Sequence, residues 1–326
     1  MTTTAAPTTT DALVTTAYGP VQRVVRHDTV PVRALRRGEV LVRTAAVSLN
    51  AADLLIAHGE PRVARLAFGV GRPREAVRGR DLAGVVAVVG PDVTAWEVGD
   101  RVAAEIPGAL ARLVPARADR LARVPDDVSW TDAATVPLAG VTALQAVRKA
   151  GVRAGDRVLV TGAAGGVGSF VVQLLRAAGA DVVGECRPET AATVVGLGAE
   201  PLDRGTPLGV GTYAAAIEVG GGRTLGELRR AVVPGGTVVL ASGHAPGPFG
   251  VLGRLVGAPV LSLVVPQRLR PLAASSRPAD VTELLGAVAA GTLRPLVGAT
   301  VPFERGEEAF ALLDTGGVRG KVVVTF

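Results

Sequence analysis

The chain has 326 residues, 48% apolar but only 3% aromatic, which is enough for two folded domains with cores built from Val, Leu and Ala. Its 35 Lys and Arg against 29 Asp and Glu give a net charge of +6, but no dense basic block with interleaved aromatics occurs, which argues against a nucleic-acid surface. The single cysteine excludes an intrachain disulfide and fits a cytoplasmic protein, and no apolar run reaches the ~18 residues of a membrane span.

Residues 1–15 are Thr-rich, lack the basic and apolar regions of a signal peptide, and are expected to be disordered. Residues 16–128 read mostly as β structure. Short apolar or alternating runs at 21–25, 39–47, 84–89 and 101–104 are separated by Gly, Pro and Asp turns. From about residue 131 the pattern becomes alternating helices and strands. The spacing predicts a helix over 133–151 with Pro137 near its start, strands at 158–160, 181–185, 213–219 and 236–242, and helices at 169–178 and 223–232. Such alternation implies a doubly wound parallel sheet. The apolar run 255–266, interrupted by Pro259, reads as a buried helix or an oligomer contact. A helix over 279–290 and a final strand over 321–326 complete the chain. The expected organisation is a β-rich domain of residues 16–128 and 275–326, interrupted by a nucleotide-binding domain of residues 129–274.

Within that second domain, the stretch RVLVTGAAGGVGSFVVQLLRAAGADVVGECR has the order strand, glycine turn, helix, strand. Gly162, Gly165, Gly166 and Gly168, with Val167 among them, form a turn in which backbone can approach a phosphate, and the following helix offers N–H groups and a positive dipole end. In this βαβ context the motif points to a dinucleotide. The end of the second strand reads Glu185, Cys186, Arg187. If Cys186 faces the ribose, no acid is there, Arg187 is positioned for a 2′-phosphate, and NADPH is favoured; if Glu185 faces it, NADH is favoured. The first reading is adopted.

The order of parts resembles the medium-chain dehydrogenase/reductases, specifically the zinc-independent quinone oxidoreductase (zeta-crystallin-like) branch. The resemblance rests on EVLVRTAAVSLNAADLLIAHG (39–59), GRDLAGVVAVVG (79–90), VGDRV (98–102), VPLAGVTALQAV (136–147), TGAAGGVGSF (161–170), VPGGT (233–237) and RGKVVVTF (319–326). It implies an α/β chain with a GroES-like β-rich domain and a Rossmann doubly wound parallel-sheet domain, a homodimer, and NADPH-dependent hydride transfer to a small hydrophobic conjugated carbonyl or quinone. No nucleic acid or membrane partner is implied. Zinc-dependent relatives hold a metal with Cys and His side chains. Here Asn50 stands at the first such position and Arg80–Asp81 at the next, while the one thiol, Cys186, is in the nucleotide domain, so no metal is expected. Neither Tyr18 nor Tyr213 precedes a lysine at the Tyr-x-x-x-Lys spacing that short-chain reductases use. The branch often carries a tyrosine or lysine where this chain has Leu55, and an aromatic where it has GALARLV, so the pocket is more apolar than in many relatives.

Asn50 is the first candidate for a neutral donor to substrate; the same residue type also caps helices well. Asp53 orients Asn50, acts through water, or serves the first helical turn. His58 is a candidate proton donor or a helix-end histidine. Arg80 and Asp81 are expected to pair with each other. The resemblance implies that Thr142 touches the nicotinamide; Ser242 and Gly243 end a strand, where contacts to the cofactor's ribose or nicotinamide are expected at a sheet's carboxyl end, and Lys321 is a candidate phosphate ligand. Alternatives are a pathway-specific reductase or redox-neutral catalyst in natural-product biosynthesis, or a non-catalytic NADPH-binding protein.

Overall fold

The computed structural model describes residues 7–60, 62, 65–242 and 257–326. Its contacts divide the chain into two units: Met1–Leu138, Ser276–Ala290 and Val297–Phe326 form the first, and Ala139–Ser275 with Gly291–Leu296 the second.

In the first unit, β1 (Thr9–Thr15) pairs antiparallel with β2 (Val25–Pro31), and the short helix α1 (Val21–Val24) lies between them. Two expectations are corrected here. Residues 9–15 are ordered as a strand, because Ala12, Leu13 and Val14 are all buried in the core, with both faces of the strand covered there. The run 21–25 is helical for its first four residues, and the strand starts only at Val25. Next come β3 (Glu39–Leu49), α2 (Ala51–His58), α3 (Arg65–Phe68), β4 (Asp81–Val89), β5 (Arg101–Glu105), β6 (Leu113–Arg117) and β7 (Ala122–Arg123).

Helix α4 (Trp130–Thr135), begun by a Ser129 side chain that accepts from the Asp132 N–H, packs on β3 and β4. The single helix expected over 133–151 is broken: residues Val136–Gly140, including Pro137, form a π turn before α5 (Val141–Ala150). Proline has no N–H to give the regular ladder, and π turns are a usual accommodation.

The second unit holds α5, β8 (Arg157–Thr161), α6 (Gly166–Ala177), β9 (Asp181–Cys186), α7 (Ala191–Gly196), β10 (Glu200–Asp203), β11 (Tyr213–Glu218), α8 (Leu225–Ala231), β12 (Val232–Leu240) and β13 (Arg268–Pro271). Its strands form one parallel sheet in the order β10-β9-β8-β11-β12-β13. Order reverses between β8 and β11, the switch point at which such sheets bind ligands beyond their carboxyl ends. Residues 255 and 256 of the apolar run lie outside the described residues; of the rest, Val260, Leu263 and Val264 are exposed, so those side chains are not part of a buried helix.

The chain then returns to the first unit with α9 (Pro278–Ala289), β14 (Val297–Pro302), α10 (Gly306–Thr315) and β15 (Lys321–Thr325). The first unit's main sheet runs β14-β15-β3-β4-β5-β7, with β6 paired to β3. Its core is nearly all Val, Leu and Ala, with Phe303 and Phe310, as the aromatic-poor composition requires. No helix among the described residues is long and apolar enough to cross a membrane.

Candidate active site

Sheet register builds the centre of the first unit. Val322 of β15 pairs with Leu49 of β3, and Ser48 of β3 pairs with Asp81 of β4. These two registers bring Lys321, Asn50 and Asp81 together at one end of the sheet. The Asn50 amide donates from Nδ2 to Asp81 Oδ2 at 3.0 Å and to the Ser48 carbonyl at 3.3 Å. Its Oδ1 accepts from Lys321 Nζ at 2.5 Å, and the ammonium lies 3.8 Å from Asp81 Oδ2. All three residues are buried.

Helix capping leaves the Asn50 amide available for this role. The Asn50 backbone carbonyl accepts the Asp53 N–H, while the Asp53 carboxylate accepts the Asn50 N–H at 2.8 Å. The amide thus turns inward, and both of its donors are spent within the fold. Lys321 is corrected in the same way: its ammonium is held by a carboxylate and an amide oxygen in the core of the first unit, instead of extending as a phosphate ligand. Asp81 does not pair with Arg80; Arg80 forks onto Glu105 Oε1 at 2.8 and 2.9 Å.

Burial sets the electrostatics of this network. Removal from water pushes the Asp81 carboxyl up to about 7, against the pull of Lys321 and Asn50. The same burial pushes the Lys321 ammonium down, opposed by Asp81 and Asp53. Asp81 Oδ1 has no hydrogen-bond partner, and neither does the nearby Ser48 hydroxyl. A proton on Asp81 therefore belongs on Oδ1, since Oδ2 already accepts.

Asp53 is also buried, and burial raises its carboxyl while the Asn50 N–H, Lys321, Arg80 and Arg78 pull it down. It stands on the wall of a cavity of about 260 Å³ within the first unit, with Ile56 of α2, Phe68, Val77, Arg78 and Pro107. His58 is placed otherwise. Its Nδ1 is 3.1 Å from the Gly19 carbonyl and its Nε2 2.9 Å from Asp314 Oδ1, so both ring nitrogens face acceptors of the fold. This fastens the end of α2 to α10 and leaves no ring nitrogen for a substrate.

The glycine turn belongs to the second unit. Gly162 has φ +67°, and the Gly165 N–H donates to its carbonyl at 3.0 Å. A Cβ on Gly168 would stand 2.1 Å from the Gly162 oxygen, so only glycine closes the turn. Gly165 is the N-cap of the twelve-residue α6, whose first N–H groups, on Gly166, Val167 and Gly168, have no acceptor inside the helix. This turn, at the switch-point strand, fits a pyrophosphate.

At the end of β9, Glu185 is buried and bound to Arg223, Oε2 to Nε 3.1 Å, and Arg223 also donates to the Thr206 carbonyl. Cys186 is buried and Arg187 half-buried. Thr142 lies half-buried in the first turn of α5, and Ser242 half-buried just beyond β12. Gly243 lies outside the described residues. Sequence reasoning missed Lys321 as a partner of Asn50 and missed Arg78 and Glu105 altogether.

Comparison with known proteins bears on this arrangement. Residues 36–126 match the alcohol dehydrogenase GroES-like domain, and residues 178–324 match the zinc-binding dehydrogenase family. The chain is 31% identical over 277 residues to a mitochondrial NAD(P)H oxidoreductase of Mus musculus, covering 76% of this chain and 69% of that one. A 165-residue stretch is 44% identical to erythronolide synthase EryA2 of Saccharopolyspora erythraea; it spans 50% of this chain but 4% of the synthase. The quinone oxidoreductase structure from Coxiella burnetii superposes with a TM-score of 0.84 at 27% identity, covering 98% of this chain and 99% of that one. The matched zinc-binding family makes the donor set at Asn50 and Asp81 relevant. No group of three or more His, Cys, Asp or Glu side chains able to hold a metal is present among the described residues. A divalent cation at Asn50 and Asp81 would also have to displace the Lys321 ammonium. These residues do not fit zinc.

Proposed function

The chain belongs to the medium-chain dehydrogenase/reductase family, in its quinone oxidoreductase branch, and we propose that it transfers hydride from NADPH to a quinone or an α,β-unsaturated carbonyl without zinc. The observation that carries this reading is the closed network in which Lys321 holds Asn50 and Asp81, the two residues that the resemblance sets where zinc-dependent relatives have metal ligands. A site without a Lewis acid is poorly suited to activating a saturated alcohol. A conjugated acceptor needs less help, because its developing oxyanion is already delocalised.

When bound, the reduced nicotinamide supplies the hydride. In this reading the turn Gly162–Gly168 and the N-terminus of α6 hold the pyrophosphate, with Thr142 and Ser242 at the nicotinamide end. Arg187 takes the 2′-phosphate. Engagement of Glu185 by Arg223 supports that choice, because the acid that would otherwise accept from a ribose hydroxyl is occupied. Asp53, raised by burial and bordering the cavity, is the group suited to hold a proton for the reduced oxygen. Asn50 acts as a positioning residue, fixing the Asp53 carboxylate through its backbone N–H.

The test is NADPH consumption with a panel of naphthoquinones, alkenals and cyclic enones beside saturated alcohols. Turnover of a quinone or an enone, insensitive to chelators, is expected. Turnover of saturated alcohols alone, lost on chelation, would overturn the proposal, and NADPH binding without any turnover would favour a non-catalytic role.

A further inference from the structure

Arg78 is a buried cation to which the fold gives very little. It is 4% exposed, yet its one side-chain hydrogen bond among the described residues runs from Nε to the Ala76 carbonyl at 3.2 Å, and no carboxylate there lies within ion-pairing distance, Asp53 and Glu75 attracting it only from further off. The other deeply buried arginine, Arg223, is treated differently: Glu185, Glu227 and the Thr206 carbonyl all receive its donors. An ion largely removed from water with only distant counter-charges is costly, so a fold that keeps one usually has a closer counter-charge for it. Arg78 lines the cavity beside α2, where a counter-charge can enter.

We propose that this cavity is a built receptor for the carboxylate of a small, largely apolar molecule, with Arg78 as the receiving group. Its backbone is held on both sides: the Arg78 N–H donates to the Leu13 carbonyl at 2.9 Å, and the Arg78 carbonyl accepts the Leu110 N–H at 2.8 Å. The guanidinium thus hangs from a rigid support, and its fork matches the two oxygens of a planar carboxylate. Ile56, Phe68, Val77 and Pro107 give apolar walls for the rest of the ligand. At about 260 Å³ the cavity is just below the size of drug-binding sites, roughly 300 Å³ upward, and so suits a compact acid or one end of a longer one. Arg74 adds an exposed positive charge at the wall and Glu75 an exposed negative one. Asp53, also on the wall, repels an anion less for having its carboxyl raised by burial. One buried fork suits a monoanion better than a phosphate dianion. That this acid is the hydride acceptor rests on the reductase reading; that it binds does not.

Calorimetric titration of the full chain with benzoate, cinnamate, 2-naphthoate, cinnamamide and inorganic phosphate tests the receptor. Cinnamate should bind at least about tenfold more tightly than cinnamamide, the difference expected for one charge-assisted contact. Arg78→Met should erase that preference, and without ligand should be no less heat-resistant than the parent, since it removes a buried charge whose counter-charges make no contact with it. Ile56→Trp, which fills the cavity, should abolish binding of every acid. Equal affinity for acid and amide, phosphate bound more tightly than every carboxylate, no acid bound more tightly than about 1 mM, or a preference that survives either variant would overturn the proposal. NADPH turnover measured in parallel keeps the two readings apart. Acid binding without turnover leaves the receptor standing and removes the reductase, whereas turnover of neutral quinones without acid binding does the reverse.

Discussion

Replacing Lys321 with Met removes the ammonium from Asn50 Oδ1 and from its place 3.8 Å from Asp81, while keeping a side chain of similar length. If Asp81 had to remain ionised, breaking such a buried pair would cost about 3–5 kcal/mol. It need not remain so, because burial already holds its carboxyl at about 7. In an unfolded chain the group titrates near 3.9. A carboxyl raised on folding favours the folded state when protonated, and that advantage is lost as pH rises from about 4 to the folded value. Removing Lys321 raises the folded value further. Below pH 7 parent and variant both carry the proton on Asp81, and the variant loses only the partner of the Asn50 amide oxygen, about 1–3 kcal/mol. Above pH 7 the parent must ionise Asp81 beside a cation and the variant without one. The gap then widens by about 1.4 kcal/mol per pH unit until the variant's own carboxyl titrates. Asp81→Asn should tilt the other way. The lysine, lowered by burial, then lacks a full counter-charge, and its penalty fades as it loses its proton with rising pH. Urea unfolding of the three proteins between about pH 6 and about pH 9 at fixed ionic strength measures these slopes. Parallel stability curves would refute the argument.

Gly168→Ala should weaken NADPH binding at least about tenfold, because a Cβ 2.1 Å from the Gly162 oxygen forces the turn open; fluorescence titration that shows unchanged affinity would remove the turn from the cofactor site. Arg187→Ala should shift the NADPH-to-NADH affinity ratio by about tenfold toward NADH, and an unchanged ratio would mean that Arg187 does not read the 2′-phosphate. His58→Ala should keep kcat and lower stability by about 1 kcal/mol, the scale of a partly exposed pair. Loss of kcat with the fold intact would make His58 the acid after all.

Much of the second unit was legible because its signals are local. Gly162 and Gly168 fix a turn that a side chain would strain or block, and alternation of helix with strand already implies a parallel sheet. Register was less legible. Asn50 and Asp81 are expected at matching ligand places but Lys321 at a phosphate, and only the pairing of β15 with β3 and of β3 with β4 makes the three one group. Arg80 and Asp81 show why neighbours mislead: adjacent side chains on a strand point to opposite faces, so Arg80 meets Glu105 while Asp81 faces Lys321. The Thr-rich start concealed β1, since Ala12, Leu13 and Val14 are a short apolar run in a polar stretch whose partners come from β2 and from loops near residues 77 and 110. Arg78 was invisible for the same reason, being held by backbone from two distant segments.

The interlocking of Asn50, Asp81 and Lys321 also bears on how such a chain can change over generations. A path from this centre to a metal-holding one, by single replacements, begins with a step that harms the protein. Changing Asn50 to cysteine deprives Lys321 and Asp81 of their shared amide; changing Lys321 takes the donor from the Asn50 amide oxygen and the counter-charge from Asp81; changing Asp81 leaves the Lys321 cation without its carboxylate. Each first step disturbs a buried network before a complete ligand set exists, so several changes must coincide. The network is thus a historical barrier as well as a structural one: side chains on the cavity wall outside it, such as Ile56 and Val77, can be exchanged one at a time, whereas its own three members cannot.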